Sequence, residues 1–367
     1  MRILIIQDQL RIGGTERQSL FLARTFQESG HEIRLLVFMP GGHLHTNQNL
    51  EGISVDVLQA FDSKVALWAP GLMRRISAIS PEIILCMGRT ANCYAGFIQK
   101  KFPGIPVVGS IRTGKVLFPL HQRSLGHVQG IMVNSNWWKR RLLERGIPDN
   151  HVHVVHNSLL LDKNEHERRA ARQEFRRQYN IEDDTCVFLN VATFRPGKRH
   201  MDLLGVFASM RKSKPDLDWR LWLVGDGREY NRCKRWAAEN GLGTRVRFFH
   251  FQKDPYPFYA AADVAVSASR EDSLPNFLIE AQATGLPVVA YDCKGVDETI
   301  DPGKTGIILP AGDAVGMEAA LIQLGTDEAN RNSLASGAPD FARNRFSHNA
   351  QAQSALEFLE SVAGKSL

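Results

Sequence analysis

The sequence predicts an α/β protein made of two Rossmann-like domains of similar size, and three observations carry that reading. Short apolar runs recur along the 367 residues, and the runs are followed by helix-like segments. The alternation also pauses once, between 157 and 184, before it starts again. Runs such as ILII in MRILII and IILCM in EIILCM are continuously apolar rather than alternating, as expected of strands in a parallel sheet covered by helices on both faces.

The elements follow in order. MRILII, EIRLLVF, EIILCM, VVGSI and GIMVN read as the strands of the first domain. The segment ERQSLFLARTFQESG carries apolar residues at helical spacing and stops at Gly30, where a left-handed cap suits glycine. In the pause, NEHERRAARQEFRRQYN reads as a charged helix with few core positions. VFLNVAT, RLWLVG, RVRFFH, VAVSA, PVVAY and GIILP then read as a second set of strands. This places a boundary near 160–168. The expected division is 1–165, 166–345, and a C-terminal helix 346–367 that returns to the first domain.

Composition narrows the class of protein. With 43% hydrophobic and 23% charged residues the chain is globular rather than disordered. The opening MRILIIQDQL has one basic residue and a short apolar run, so neither a signal peptide nor a membrane span is expected, and the expected location is cytoplasmic. Five cysteines without a CxxC pair read as reduced thiols, and zinc is not expected. Residues 1–165 hold 19 Lys and Arg against 12 Asp and Glu, a net of +7, and the remainder hold 26 against 27, a net of −1. Positive charge confined to one half favours an anionic partner, such as a phosphorylated substrate, nucleic acid, or weak peripheral contact with an anionic membrane face; a solvated surface with chance asymmetry is the plain alternative.

Parallel sheets bind ligands beyond the carboxyl ends of their strands, so the loops there hold the candidate residues. Gly13 and Gly14 in RIGGTERQS follow the first strand and precede a helix; they permit close approach of an anion to the helix N-terminus, or make a plain tight turn. This is not the G-x-G-x-x-G of a dinucleotide site. VATFRPGKRH crowds Arg195, Lys198 and Arg199 into a turn set by Pro196 and Gly197, ahead of a helix near Met201, which suits phosphate oxygens. In VGDGREY, the Gly225-Asp226-Gly227 backbone is a candidate for close contact with the edge of a base. The last is SREDSLPNFLIEAQATGLPVVAYD, from Ser269 to Asp292.

Other strings read as structure. Asp216–Asp218 (DLD) resembles a metal-holding acid pair but precedes a strand, at the wrong end of a sheet. GKTG at 303–306 lacks the glycine of a P-loop, and HVHVVH gives two histidines on one strand face without a third ligand. Trp137 and Trp138 beside three cations suit either packing or an interfacial anchor.

Over nearly its whole length the chain resembles the retaining GT-B glycosyltransferases of family 4, the glycosyl transferases group 1. The carrying stretches are GGTERQSLFLARTFQESGHEI, VNSNWWKRRLLERGI, VVHNS, NVATFRPGKRHMDLL, LVGDGREY, and AADVAVSASREDSLPNFLIEAQATGLPVVAYDCKGVDETIDPGKTGIIL. The resemblance implies two domains facing across a cleft that closes about the 160–168 hinge, and a nucleotide-sugar donor, UDP-sugar favoured over GDP-sugar. It also implies a saccharide or lipid-linked acceptor, transfer with retention, no metal cofactor, and no nucleic acid partner. In that family two acids separated by seven residues flank the donor loop, and the second binds the ribose. Asp272 and Glu280 have that spacing, with Ser273, Leu274, Pro275 and Asn276 between them, a helix starting near Pro275, and Glu271 out of register and pointing elsewhere. Lys198 and Arg195 are the implied stabilisers of the leaving diphosphate.

Three departures stand out. The first acid is Asp272 rather than Glu. Thr193 occupies the position of an arginine, leaving Arg195 as its substitute. GSIRTGK places Arg112 where many members have a histidine, so Arg112 is a candidate for contact with the donor or with an acidic acceptor. A nucleotide-sugar epimerase of the same fold and a non-catalytic sugar-nucleotide-binding subunit are the alternative functions.

Overall fold

The structure is a computed structural model that describes residues 1–11, 13–45, 50, 52–62, 67–161 and 163–364. Position 12 of the first loop, position 162 of the expected hinge and the last three residues of the expected 346–367 segment therefore lie outside the described residues. The chain divides into two compact units, Met1–Ser158 with the segment from His348 onward, and Leu159–Ser347. Residues 159–165 thus group with the second unit, since Leu159 is buried in a cluster with Leu274, Ile279 and Phe346, and its N–H donates to the Phe346 carbonyl at 2.8 Å.

The first unit is built on seven strands: β1 (Arg2–Gln7), β2 (Glu32–Val37), β3 (Ser54–Val57), β4 (Ile83–Cys86), β5 (Val107–Ile111), β6 (Gly130–Val133) and β7 (Val152–Val154). They lie in the order β3-β2-β1-β4-β5-β6-β7, with every pairing parallel. The continuous apolar runs are explained by burial on both faces. Ile3, Ile5, Leu35 and Leu85 pack with Phe26 of the helix Gly14–Glu28 and with Phe358 and Leu359 of the helix His348–Gly364. Leu4, Ile6, Leu36 and Ile84 pack on the opposite face with Ile76 and Ile98. Each such aliphatic side chain, fully removed from water, contributes about 1.5–3 kcal/mol. The C-terminal helix is fixed to this unit by polar contact as well. The His153 ring lies 2.9 Å from the Ser354 hydroxyl and stacks on Phe358 at 4.9 Å, so the histidine strand is a packing strand. Trp138 is buried too, its indole N–H donating to the Thr113 carbonyl at 2.9 Å.

The second unit has β8 (Cys186–Val191), β9 (Trp219–Val224), β10 (Val246–Phe249), β11 (Val264–Ser267), β12 (Val288–Tyr291) and β13 (Gly306–Leu309), ordered β10-β9-β8-β11-β12-β13 and all parallel. The charged helix of the sequence pause, Glu165–Gln178, belongs here and starts with a capping box formed by Asn164 and Glu167. It docks through arginine rather than a broad apolar face. Arg172 and Arg176 both pair with Asp263, at 2.7 and 3.1 Å, and Arg176 also donates to the carbonyl of Thr185 at 2.8 Å. Asp218 accepts from the Thr185 hydroxyl and pairs with Arg220, so the DLD string is structural.

In each sheet the strand order reverses once, between β1 and β4 and between β8 and β11. Loops leaving the two strands of such a reversal diverge and open a crevice at the carboxyl end of the sheet. That places the loops after residues 7, 86, 191 and 267 where a ligand would be held.

Candidate functional site

In the second unit the two switch-point loops are tied together by oppositely charged side chains. The loop after β8 turns at Pro196–Lys198 and feeds the helix His200–Ser213. The loop after β11 leads to Pro275, which stands at the N-cap of the helix Asn276–Ala283. Lys198 Nζ donates to both carboxylate oxygens of Asp272 at 2.7 Å, and the two side chains are 17% and 13% exposed. Burial alone would raise the Asp272 pKa; the Lys198 ammonium, its hydrogen bond, the Ser269 hydroxyl and Arg195 hold it below the ordinary carboxylate value. Backbone contacts reinforce the tie, since the Gly197 carbonyl accepts from Arg270 N at 2.9 Å and from the Ser269 hydroxyl at 3.3 Å.

Glu271 does not point elsewhere, contrary to the expectation from register. Its carboxylate pairs with Arg195 Nη1 across the same two loops and lies against Gly197, where an added Cβ would meet it at 2.1 Å. Two consecutive acids in an irregular loop project in different directions along it, so both reach the cations, which an eight-residue spacing rule does not reveal. His200 forms a plate beside this loop, stacked on Phe194 with ring centroids 4.0 Å apart. Burial, and then nearby Lys198, pushes its pKa down to about 3, so the ring is neutral at pH 7.

The remaining donor candidates are placed less openly than the sequence suggested. Glu280 is 5% exposed and accepts the Tyr259 hydroxyl at 2.7 Å, so one oxygen is already committed to a core partner rather than reaching openly outward. Leu274 is in the core cluster with Phe346, and Ser273 is 4% exposed. Asn276 occupies the first helical position after Pro275. Gly225 and Gly227 have φ of +142° and +153°, and a Cβ on either would meet the carbonyl oxygen of Ala192 or Phe194 at 2.3 Å. The close approach they allow in this structure is to the loop after β8. Asp226 between them lies 2.6 Å from His250 Nδ1 and accepts the Phe251 N–H at 2.9 Å, bracing the loops after β9 and β10.

In the first unit, Gly13 is the N-cap of the helix Gly14–Glu28, but the carboxylate of Glu16 from the first turn folds back to where a Gly13 Cβ would stand, 2.3 Å away. The anion at that helix start is therefore the protein's own. Burial, then repulsion by Asp8, raises the Glu16 pKa, while Arg11 lowers it. Asp8, just after β1, accepts from the N–H groups of Thr90 and Ala91 at 3.0 and 2.8 Å and caps the helix Arg89–Lys101. The sequence reading missed Asp8 and Glu16, although an acid directly after the first strand and another three residues after Gly13 were visible. Arg112, at the end of β5, donates from Nη1 to Asn157 Oδ1 at 2.9 Å. Among the described residues no group of three or more His, Cys, Asp or Glu could hold a metal ion, and no helix is long and apolar enough to cross a membrane.

Two parallel sheets, each with its own switch point, and a cation loop facing an acid loop in the second, are consistent with the GT-B glycosyltransferase class. The family model described as glycosyl transferases group 1 matches residues 171–341, and that described as glycosyltransferase family 4 matches residues 12–163. The chain belongs to the GT-B glycosyltransferases of family 4. A lipopolysaccharide core biosynthesis glycosyltransferase of Rhizobium meliloti (strain 1021) is 36% identical over 141 residues, covering 38% of this chain and 42% of that protein. The N-acetyl-alpha-D-glucosaminyl L-malate synthase of Bacillus anthracis is 27% identical over 199 residues, covering 54% and 51%. The match thus spans about half or less of these relatives. Among solved structures, Anabaena Alr3699/HepE in complex with UDP-glucose superposes with a TM-score of 0.83 at 20% identity, covering 98% of this chain and 100% of that one. The apo lipopolysaccharide outer core galactosyltransferase WaaB does so with 0.73 at 18% identity, covering 98% and 99%. At those identities the likeness is one of fold.

Proposed function

We propose that the chain is a retaining glycosyltransferase that moves a sugar from a nucleotide-sugar donor, a UDP-sugar in preference to a GDP-sugar, to a saccharide or lipid-linked acceptor in cell-surface glycan or glycolipid assembly. The observation that carries this reading is the double pairing of Lys198 with Asp272 and Arg195 with Glu271 at the switch point of the second sheet. Two cations held in place by two acids are preorganised for a diphosphate, because charge developing on the leaving group meets donors that need no reorganisation. The anomeric carbon–oxygen bond to the diphosphate breaks, the acceptor oxygen bonds on the same face, and the acceptor proton passes to the departing phosphate. Glu280 would hold the ribose hydroxyls, and Asp272 would lie on the sugar side. The relatives support the class of product: one is named for lipopolysaccharide core assembly, and one fold neighbour was solved with UDP-glucose.

The test is transfer from UDP-glucose or UDP-galactose to a lipopolysaccharide core acceptor, with the anomeric configuration of the product read by NMR. An inverted product contradicts the mechanism. Interconversion of the donor without consumption of acceptor points to the epimerase instead. Because Lys198 and Arg195 are the groups offered to the diphosphate and the two acids beside them are already paired with those cations, transfer is expected to retain most of its rate in excess EDTA; an absolute requirement for added manganese would refute metal independence.

Weak attachment to an anionic membrane belongs to the same proposal. The first unit carries the net +7 together with exposed Val116 (83%), Phe97 (52%) and Phe118 (49%), the last under the Arg89 guanidinium at 4.2 Å. Apolar side chains beside cations suit an anionic headgroup layer. Flotation with phosphatidylglycerol-containing vesicles should show salt-sensitive binding at low ionic strength, and no flotation would remove the membrane from the account.

A further inference from the structure

Arg112 is a cation without a counter-charge. Its Nη1 donates to the Asn157 amide oxygen at 2.9 Å, its Nη2 lies 3.5 Å from the Met132 sulfur, and its Nε has no partner. Both contacts are neutral, and among the described residues no carboxylate pairs with it. Enclosure without a counter-ion pushes its pKa down to about 10, which still leaves it charged at pH 7. The enclosed Arg176 is treated differently, since it meets Asp263 at 3.1 Å. A desolvated charge is costly unless paired, so a cation kept in this state has room for an anion that no described residue supplies.

The position suits such a partner. Arg112 directly follows β5 at the carboxyl end of the sheet, and it retains partial exposure. The neighbouring strand end is held in register by the Asn134 N–H, which donates to the Ile111 carbonyl at 3.2 Å. Asn157, held by Arg112, is adjacent to Ser158, whose N–H and carbonyl are both bonded by the Gln18 amide at 3.0 and 2.9 Å. The guanidinium is therefore mounted on a braced frame rather than on a loose loop, as bidentate recognition of an oxyanion requires. The surrounding unit is the basic one, net +7.

We propose that Arg112 binds an anionic group, a phosphate or carboxylate, carried by the acceptor. The anion site stands on the geometry alone, whereas assigning it to the acceptor rests on the transferase reading. The same oxyanion chemistry could instead come from the donor diphosphate, and the two sources separate by experiment.

Inorganic phosphate is titrated into the full chain by calorimetry, without nucleotide, for wild type, Arg112→Gln and Asn157→Asp. Arg112→Gln is expected to weaken phosphate at least about 10-fold, the scale of losing a charge-assisted hydrogen-bonded pair. Asn157→Asp supplies the missing counter-charge while keeping the guanidinium; it should raise Tm in phosphate-free buffer and abolish the phosphate response. Equal phosphate binding by wild type and Arg112→Gln, with no gain in Tm for Asn157→Asp, overturns the site and leaves Arg112 as a tie to Asn157. In the second arm, with saturating UDP, phosphate should still bind through Arg112, and Arg112→Gln should bind UDP within about twofold of wild type. Competition between phosphate and UDP, lost in Arg112→Gln, would assign the anion to the donor and overturn the acceptor assignment. Failure of wild type to bind UDP would count against the transferase reading and leave the phosphate arm to be read independently.

Discussion

Lys198→Ala is expected to lower kcat about 100-fold or more, the scale of removing one preorganised donor to a developing oxyanion. The ammonium is held by both oxygens of Asp272 in a loop braced through Gly197, so it is already in place when charge accumulates on the leaving diphosphate. A second effect accompanies the first. Removing Lys198 leaves Asp272, 13% exposed, without its main counter-charge, and breaking such a pair costs about 3–5 kcal/mol when fully buried and less at partial exposure. Stability and catalysis can be told apart with Lys198→Ala/Asp272→Ala, which removes the orphaned charge as well. The double variant should recover Tm relative to the single one while kcat stays low. Recovery of kcat in the double variant, or near-full kcat in Lys198→Ala, would remove Lys198 from the chemistry.

Glu280→Ala is expected to weaken UDP binding about 10- to 150-fold, corresponding to the loss of one charge-assisted hydrogen bond to a ribose hydroxyl. The structure sharpens this test, because Glu280 already accepts the Tyr259 hydroxyl. If the carboxylate only satisfied that hydroxyl, Glu280→Ala would reduce Tm and leave UDP affinity unchanged, and Tyr259→Phe would behave similarly. If it binds ribose, Tyr259→Phe should leave UDP affinity within about threefold of wild type while Glu280→Ala does not. Both variants are read by calorimetry and by thermal melts on the same preparations.

What the sequence made legible follows from what periodicity and spacing encode. Burial on both faces writes a strand as a continuous apolar run, so the ILII of MRILII and the LWLV of RLWLVG announced themselves, and the strand–helix alternation carried the parallel sheets with them. The cations of the loop after β8 were equally legible, because a strand followed by a Pro-Gly turn leaves few places for Lys198 and Arg195 to go. Side-chain direction in irregular backbone was not legible. Glu271 lay out of register by counting, yet the loop turns it onto Arg195. Gly225 and Gly227 signalled close approach, and the approaching atoms inside the protein, the carbonyls of Ala192 and Phe194, needed the fold to be seen. Likewise Gly13 marked a helix start facing an anion, while the anion that folds back there is Glu16, whose own position gives no sign of it until the helix is built.

The central claim is that the loops after β8 and β11 form a nucleoside diphosphate site. Titration calorimetry of the full chain with UDP, GDP and ADP tests it most directly, with Lys198→Ala alongside. Saturable binding of UDP, tighter than GDP and ADP, and weakened in Lys198→Ala, is the expected result. Absence of binding for all three nucleotides, or UDP binding indifferent to Lys198, would contradict it.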